Sequence, residues 1–212
     1  MKLIAINGSP RKNWNTDTLL KEVIDGASSQ GVECEMIYLY DLDFKGCKGC
    51  MACKLKKSKN LGRCNKKDDL KDVLDKVHEA DILVLGSPIY WHDVTGEMRS
   101  FIERLLFQYL TYDGTAPLSS PKRTAMIYTM NMPEELHEEY KYDDLFKKYE
   151  DLMNQFFNDC TTLFASQTLF VKNYEKYHLE IYDEEFIKQR HETVFSQIRK
   201  EAYELGIDLV KK

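Results

Sequence analysis

Short apolar runs alternate with amphipathic helical stretches along the chain. The apolar runs predict strands at Lys2–Asn7, Val32–Leu39, Ile82–Gly86, Thr124–Thr129 and Leu163–Val171. Apolar residues at helical spacing predict the intervening helices, of which the last two are expected at Asp144–Asn158 and Asp183–Leu205. Serial strand–helix units of this kind predict an α/β fold, a three-layer, doubly wound sheet of five parallel strands in the flavodoxin-like order 2-1-3-4-5.

The length of 212 residues suits one domain, and we expect residues 1–212 to form a single flavodoxin-like domain. Two long loops are predicted within it, a cysteine-rich loop at 43–67 and an extended polar and aromatic loop at 107–121. Loops of this length are usually functional or lie at an interface. In a doubly wound sheet the ligand binds beyond the carboxyl ends of the strands, so the site is expected in the loops that follow them.

Charge is distributed unevenly along the chain. The net charge of -5 argues against nucleic acid as a partner. Residues 45–67 hold nine Lys or Arg and no Asp or Glu, together with four of the six cysteines. Residues 134–159 hold nine acidic residues against three Lys, which indicates a solvated loop and helix start or one side of a subunit interface. Residues 45–67, which we call the basic window, are therefore a candidate functional segment.

The apolar run at the N-terminus, Leu3–Ile6, is too short for a signal peptide or a membrane span. We therefore expect a cytoplasmic protein without a membrane span. In a reducing compartment, clustered cysteines indicate metal or redox chemistry more often than structural disulfides.

The loop after the first strand contains groups that an anion needs. Hydroxyls of Ser9, Thr16 and Thr18, the Asn15 amide and the Arg11 guanidinium lie next to a predicted helix N-terminus. The loop matches neither G-x-G-x-x-G nor G-x-x-x-x-G-K-S/T. One interpretation is a phosphate site, and the other is a helix cap in which Asn15 or Thr16 satisfies the first-turn amides.

The loop after the third strand carries two consecutive aromatic residues. Pro88 is expected to end the strand, because proline fixes φ and removes a backbone donor. Tyr90 and Trp91 then lie where this fold places ligands, and they suit a flat heterocycle. The alternative is a surface turn whose aromatic side chains pack on an adjacent loop. A phosphate loop and an aromatic loop at one edge of a sheet are more specific together than either is alone.

Three segments occur in a recognisable order: Gly8-Ser9-Pro10-Arg11, then Cys47-Lys48-Gly49-Cys50-Met51-Ala52-Cys53, then Gly86-Ser87-Pro88-Ile89-Tyr90-Trp91. In this order they resemble the NAD(P)H-dependent FMN reductase family, in its iron–sulfur-flavoprotein branch. The resemblance covers about the first 105 residues.

The resemblance implies a bound FMN. It implies phosphate contacts from Ser9, Arg11, Asn15 and Thr16, and ribityl and ring contacts from Pro88, Ile89, Tyr90, Trp91, Thr129, Met130 and Asn131. Trp14 stands where the family usually has Gly or Ser, so it either points outward or narrows the phosphate loop. The resemblance also implies an NAD(P)H donor and a homodimer or homotetramer. No side chain is assigned as an acid or base, because a flavin carries the chemistry itself.

Four cysteines fall in the basic window. Cys47, Cys50 and Cys53 recur every third residue, a spacing that can hold three corners of a [4Fe-4S] cluster. Free or redox-active thiols and a structural zinc site are the alternatives. In cluster-bearing members of the family the fourth cysteine follows more closely than Cys64 does here, so the Leu55–Gly62 insertion leaves the role of Cys64 open.

We therefore expect an FMN-dependent oxidoreductase in which NAD(P)H reduces bound FMN. The electrons would pass to a quinone, a flavin, a metal or nitro compound, or a protein acceptor. The alternative is an iron–sulfur flavoprotein electron carrier with a [4Fe-4S] cluster held by Cys47, Cys50, Cys53 and Cys64. A non-catalytic flavin- or zinc-binding module is the weaker alternative.

Overall fold

The computed structural model describes residues 1–211. Within this range the strands are β1 (Lys2–Asn7), β2 (Glu33–Tyr38), β3 (Ile82–Tyr90), β4 (Asp93–Val94), β5 (Arg123–Thr129) and β6 (Asp159–Ala165). The α-helices are α1 (Asn15–Ser28), α2 (Leu70–Glu79), α3 (Gly96–Tyr109), α4 (Tyr142–Phe156), α5 (Glu184–Glu192) and α6 (Val194–Lys211).

The main sheet has the strand order β2-β1-β3-β5-β6, and every neighbouring pair on this path is parallel. The two-residue strand β4 lies off the path and pairs antiparallel with the end of β3. With β4 set aside, the order is 2-1-3-4-5. The predicted α/β class and the doubly wound, flavodoxin-like strand order are therefore confirmed.

Alternate side chains of the strands belong to two separate apolar clusters, one on each face of the sheet. Leu3 and Ala5 of β1 pack with α1 and α6, whereas Ile4 and Ile6 pack with α2, α3 and α4. All four side chains are fully buried. Since helices cover both faces, the central strands β1 and β3 are mostly apolar and buried, and polar residues lie at their carboxyl ends, where the site is.

The prediction that Pro88 ends the third strand is wrong, because β3 continues to Tyr90. The carbonyl of Gly86 accepts from Gly8 N–H on the β1 side, and Pro88 faces the same side two residues later. By that point β1 has ended at Asn7. The missing N–H of Pro88 therefore falls where the sheet needs no donor, as at an edge strand.

The predicted ends of the C-terminal elements also need correction. The last strand spans Asp159–Ala165 rather than Leu163–Val171, because its register with β5 starts at the pair Arg123 and Asp159. The helix predicted at Asp183–Leu205 is two helices, α5 and α6. They are separated at Thr193, whose hydroxyl donates back to the Gln189 carbonyl at 2.8 Å.

The two segments singled out as loops lie on either side of α2 and α3. The cysteine-rich segment 43–67 connects β2 to α2 and contains one short 3-10 turn at Ala52–Lys54. Helix α3 continues through Tyr109, so the connection to β5 starts at residue 110 rather than 107. The fourth predicted helix starts at Tyr142 and ends at Phe156, two residues before the predicted positions at each end.

The backbones of helices α1 and α6 are in close contact where the two helices cross, and a glycine on each helix permits this approach. A Cβ atom on Gly206 would lie 2.1 Å from the Val23 carbonyl oxygen, and one on Gly26 would lie 2.0 Å from the Tyr203 carbonyl oxygen. Backbone atoms on both sides cannot rotate out of the way as a side chain can. The close crossing holds the C-terminal helix against the helix that follows the first loop.

We expect Gly206→Ala to lower the free energy of unfolding by about 1–3 kcal/mol, the usual cost of overpacking a close contact. Urea denaturation followed by circular dichroism measures it. Gly96→Ala is the matched control, since a Cβ there meets nothing within 4 Å. Equal midpoints for the two variants would contradict the close-crossing account.

Candidate functional site

The loop between β1 and α1 is organised by a buried carboxylate. Asp17 accepts a hydrogen bond from Asn7 Nδ2 at 2.9 Å and another from Asn13 N–H at 2.7 Å. Asn7 Oδ1 in turn accepts from Ser9 N–H at 2.8 Å. The end of the strand, the loop and the start of the helix are thereby tied to one another.

Asp17 is fully buried, and it is held in its charged form. Burial alone would raise the pKa of this carboxyl, but hydrogen bonds from Lys21, Tyr38 and the Asn13 backbone outweigh burial and lower it. The Nζ atom of Lys21 lies 2.7 Å from the Asp17 carboxylate. Burial, together with its own hydrogen bond to Asp17, raises the pKa of Tyr38 to about 12. The loop is therefore anchored by an ionised, fully hydrogen-bonded group.

The N-terminus of α1 has no side-chain cap. The N-cap residue is Trp14, which makes no capping hydrogen bond. Asn15 and Thr16 lie within the helix, and the Thr16 hydroxyl bonds instead to the Thr129 hydroxyl at 2.7 Å. The alternative in which Asn15 or Thr16 caps the helix is therefore wrong. An uncapped helix N-terminus beside buried hydroxyls is the arrangement that binds anions.

Trp14 and Arg11 fasten this loop to the segment after β6. The Arg11 guanidinium lies over the Trp14 ring, 4.2 Å from its centroid, and donates to the Phe170 carbonyl at 2.8 Å. The Leu169 carbonyl accepts from Trp14 Nε1 at 3.2 Å and from Asn15 Nδ2 at 2.8 Å. Trp14 therefore does not point outward, because its side chain contacts the segment after β6.

The loop after β3 is a tight hairpin with two consecutive left-handed residues. Trp91 and His92 have φ values of 50° and 62°, and Tyr90 pairs with Asp93 across the turn. Two left-handed central residues define a type I′ turn, which usually takes Asn-Gly. The Trp91 side chain is 96% exposed. A strained turn that presents an indole to solvent indicates a functional constraint.

Thr95 joins this hairpin to the first loop. Its hydroxyl donates to the Gly8 carbonyl at 2.7 Å and accepts from Met98 N–H at 3.3 Å as the N-cap of α3. Its backbone N–H donates to the Ser87 hydroxyl at 3.1 Å. One buried side chain therefore fixes the spacing between the first loop and the aromatic loop.

A cavity of about 490 Å³ lies at the carboxyl edge of the sheet between these loops. All the side chains predicted to contact FMN line it: Ser9, Arg11, Asn15, Thr16, Pro88, Ile89, Tyr90, Trp91, Thr129, Met130 and Asn131. The structure therefore brings together residues from three loops that are far apart in sequence.

The cavity has a fourth wall that sequence reasoning missed, formed by Thr168, Leu169, Phe170 and Tyr182, and Trp14 of the first loop also lines the cavity. Thr168 is held by its N–H, which donates to the Met130 carbonyl at 3.1 Å. The sequence pattern predicts a strand at Leu163–Val171, so residues 168–170 were not expected in a loop that lines a cavity. The apolar residues at 169–171 could have indicated this wall, because apolar residues line cavities as well as form strands.

His92 and Asp93 do not line the cavity but contact α4. His92 Nδ1 lies 3.0 Å from the Tyr142 hydroxyl, and Asp93 accepts from the Tyr149 hydroxyl at 2.6 Å. Burial and the Asp93 contact raise the pKa of Tyr149 well above its ordinary value. These contacts hold the aromatic hairpin against α4.

A second cavity, of about 260 Å³, is lined by Cys47, Cys50, Cys53 and Cys64, and we call it the cysteine cavity. All six cysteines of the chain are free thiols. Cys34 and Cys160 lie elsewhere, and burial raises the pKa of Cys160 to about 11. Within residues 1–211, no three His, Cys, Asp or Glu side chains are arranged to hold a single metal ion.

The charge of the basic window is partly buried around this cavity. Lys54 donates to the Gln108 carbonyl at 3.0 Å and to the Leu110 carbonyl at 2.6 Å, at the end of α3. Burial lowers the pKa of Lys54. Burial likewise raises the pKa of the neighbouring Cys53 thiol, and the Lys54 charge counteracts that effect.

Curated proteins resemble about half of the chain. It is 47% identical over 104 residues to an iron-sulfur flavoprotein from Archaeoglobus fulgidus, covering 49% of this chain and 48% of that protein. It is 38% identical over 104 residues to the iron-sulfur flavoprotein MJ1083 from Methanocaldococcus jannaschii, covering 49% of this chain and 51% of that protein. The matched part of the chain thus corresponds to about half the length of these relatives.

Among solved structures, the fold is similar to that of an NAD(P)H:quinone oxidoreductase from Methanothermobacter marburgensis. The TM-score is 0.72, with 12% identity, over 99% of this chain and 98% of that one. Among residues 1–211, none of the helices combines the length and apolar character needed to cross a membrane. The family model described as NADPH-dependent FMN reductase matches residues 1–130, which is more than half of the sequence. The chain therefore belongs to the NADPH-dependent FMN reductase family.

Proposed function

We propose that this protein is an FMN-dependent oxidoreductase that takes electrons from NAD(P)H and passes them to a small-molecule or protein acceptor. The observation that carries the proposal is the cavity of about 490 Å³ at the carboxyl edge of the sheet. One end of it has the chemistry of a phosphate site, and the other has that of a site for a flat ring. The family match over residues 1–130 supports the same assignment.

The phosphate end fits FMN through its donors. Ser9 and Thr16 are buried hydroxyl residues beside the uncapped N-terminus of α1, where backbone dipoles favour an anion. Asn15 lines the same end, and Arg11 contributes a positive charge. Because Arg11 and Asn15 also donate to the 169–170 carbonyls, they would hold the loop closed around the phosphate as well as attract it.

The ring end of the cavity fits the flavin ring in its shape and apolar character. Pro88, Ile89, Tyr90 and Trp91 line it on the β3 side, and Thr129, Met130 and Asn131 line it on the β5 side. Phe170 and Tyr182 close the remaining wall, with their ring centroids 6.0 Å apart. Aromatic and apolar walls around a planar ring exclude water from it and position it by stacking.

When bound, FMN would accept a hydride equivalent from the nicotinamide and deliver electrons singly or in pairs to an acceptor such as a quinone, a flavin or a metal or nitro compound. The chain's own residues would bind, orient and shield the ring. We assign no side chain as an acid or base. The proposal further takes residues 1–212 as one flavodoxin-like unit that works in the cytoplasm as a homodimer or homotetramer.

A second candidate function is electron transfer through a [4Fe-4S] cluster in addition to FMN. The observation that favours it is that Cys47, Cys50, Cys53 and Cys64 line one cavity. Curated relatives that match about half of the chain are named iron-sulfur flavoproteins. The four thiols would hold the cluster, which supplies one-electron chemistry.

Anaerobic addition of NADPH or NADH to the FMN-loaded protein tests the main proposal. We expect bleaching of the visible flavin band and its return when a quinone is added. A protein that takes up FMN but is reduced by neither nicotinamide would contradict the reductase function and leave a non-catalytic flavin module. Failure to take up FMN at all would contradict the site itself.

We expect Thr16→Val to weaken FMN binding by roughly 10- to 150-fold, because a hydrogen bond to a charged group is worth about 1.5–3 kcal/mol. Riboflavin, which lacks the phosphate, should lose less affinity. Titration calorimetry with both ligands measures the difference. Thr18→Val is the matched control, since Thr18 follows in the same first turn but does not line the cavity. Equal losses for FMN and riboflavin would contradict a phosphate role for Thr16.

For the second candidate, anaerobic reconstitution with iron and sulfide should load about four irons per chain. We expect Cys64→Ser to lower the iron content and Cys34→Ser, outside the cysteine cavity, to leave it unchanged. Iron, sulfide and zinc analysis provides the measurement. Zinc without sulfide, or no metal, would contradict the cluster, and an unchanged iron content in Cys64→Ser would exclude Cys64 as a ligand.

A further inference from the structure

Two side chains of α3 form one polar wall of the cysteine cavity: Arg104 and Gln108. We propose that these residues hold Cys64 in position as the fourth thiolate and donate N–H hydrogen bonds to sulfur in a [4Fe-4S] cluster bound there. This inference rests on the second candidate function. It adds positioning residues that lie some 40 positions away from Cys64 in the sequence.

Cys64 reaches the cavity because the insertion before it folds back on itself. Gly62 N–H donates to the Cys53 carbonyl at 3.0 Å, which closes the excursion made by residues 55–61. Gly62 has a φ of 74°, a left-handed conformation that suits glycine. Two further turn hydrogen bonds, Ser58 N–H to Leu55 and Leu61 N–H to Ser58, compact the excursion. The ten residues between Cys53 and Cys64 therefore do not separate the two thiols in space.

Arg104 is almost completely buried and directs one N–H at Cys64. Its Nε lies 3.2 Å from Cys64 Sγ. Its terminal nitrogens are held by the Asp68 carboxylate at 2.8 and 3.0 Å, and by the Lys45 carbonyl at 3.0 Å. The two-point contact with Asp68 fixes the guanidinium plane, so the direction of Nε is determined before any ligand binds.

Gln108 lies one helical turn beyond Arg104 and faces the same cavity. Its Oε1 accepts from Cys64 N–H at 2.9 Å. Its Nε2 is buried and has no hydrogen-bond partner within the part of the chain that the structure describes. The whole residue is only 2% exposed. A buried amide donor without a partner is costly, and it points to a ligand that supplies the acceptor.

A cluster sulfur is the acceptor that the cavity chemistry offers. The other lining groups include four thiols, and a bound cluster would present several sulfur atoms with negative charge. N–H donors aimed at sulfur stabilise the more negative, reduced state, as hydrogen bonds around metal sites generally do. Gln108 and Arg104 would then raise the reduction potential of the cluster.

The test compares the reconstituted full chain with two variants at Gln108. Gln108→Leu removes the donor and the acceptor, whereas Gln108→Glu keeps an acceptor for Cys64 N–H and replaces the donor with a carboxylate. Gln189→Leu and Gln189→Glu are matched controls on α5, at an exposed position that lines neither the cysteine cavity nor the flavin cavity. Iron and sulfide per chain are measured first, and the cluster potential is then measured by a redox titration followed by electron paramagnetic resonance.

We expect the cluster potential to become more negative in Gln108→Leu, and more negative again in Gln108→Glu, with both Gln189 variants like wild type. If Gln108→Leu retains FMN binding but loads no iron, the holding role is supported, and the potential of Gln108→Glu decides the donor role. Unchanged potentials in the loaded Gln108 variants would overturn the inference and leave the cluster intact. A wild-type chain that loads no iron would overturn both the cluster and the inference, with FMN reduction unaffected.

Discussion

The site depends first on the contact between Asn7 and Asp17, made at 2.9 Å where the first strand ends. A buried, ionised carboxylate there is stable only because Asn7, Lys21, Tyr38 and the Asn13 backbone all donate to it. That requirement fixes the path of the first loop and leaves the N-terminus of α1 uncapped. A helix N-terminus that the fold itself does not satisfy is then available to an anion.

Helix α3 extends the same constraint to the rest of the carboxyl edge. Thr95 at its N-terminus binds Gly8 of the first loop, and Arg104 and Gln108 farther along it contact Cys64. The helix rises by about 14 Å between Thr95 and Arg104. One rigid element therefore sets the position of the flavin loops relative to the cysteine cavity. Part of the charge of the basic window has a local explanation as well, since Lys54 is used inside the structure beside the thiols, where it donates to the Gln108 and Leu110 carbonyls.

The sequence predicted the sheet and most of the site because both depend on local patterns. Alternating apolar runs and helical spacing indicate a doubly wound fold, for which the flavodoxin-like order is a common arrangement of five strands. The first and third loops carry their donors and aromatic residues side by side. The 168–182 wall could not be predicted in this way. Its contacts with Arg11 and Trp14 join residues more than 150 positions apart, and its apolar run resembles a strand. The Gln108–Cys64 contact was missed for the same reason, because a glutamine at helical spacing carries no signal of its own.

The most direct test of the account is a crystal structure of the chain grown with FMN. We expect the phosphate at the start of α1 between Ser9 and Thr16. We expect the ring between the 88–91 hairpin and the 129–131 loop, with Phe170 or Tyr182 closing over it. FMN bound in another place, or with its phosphate away from the start of α1, would contradict the central claim that the uncapped helix and the aromatic hairpin together form the flavin site.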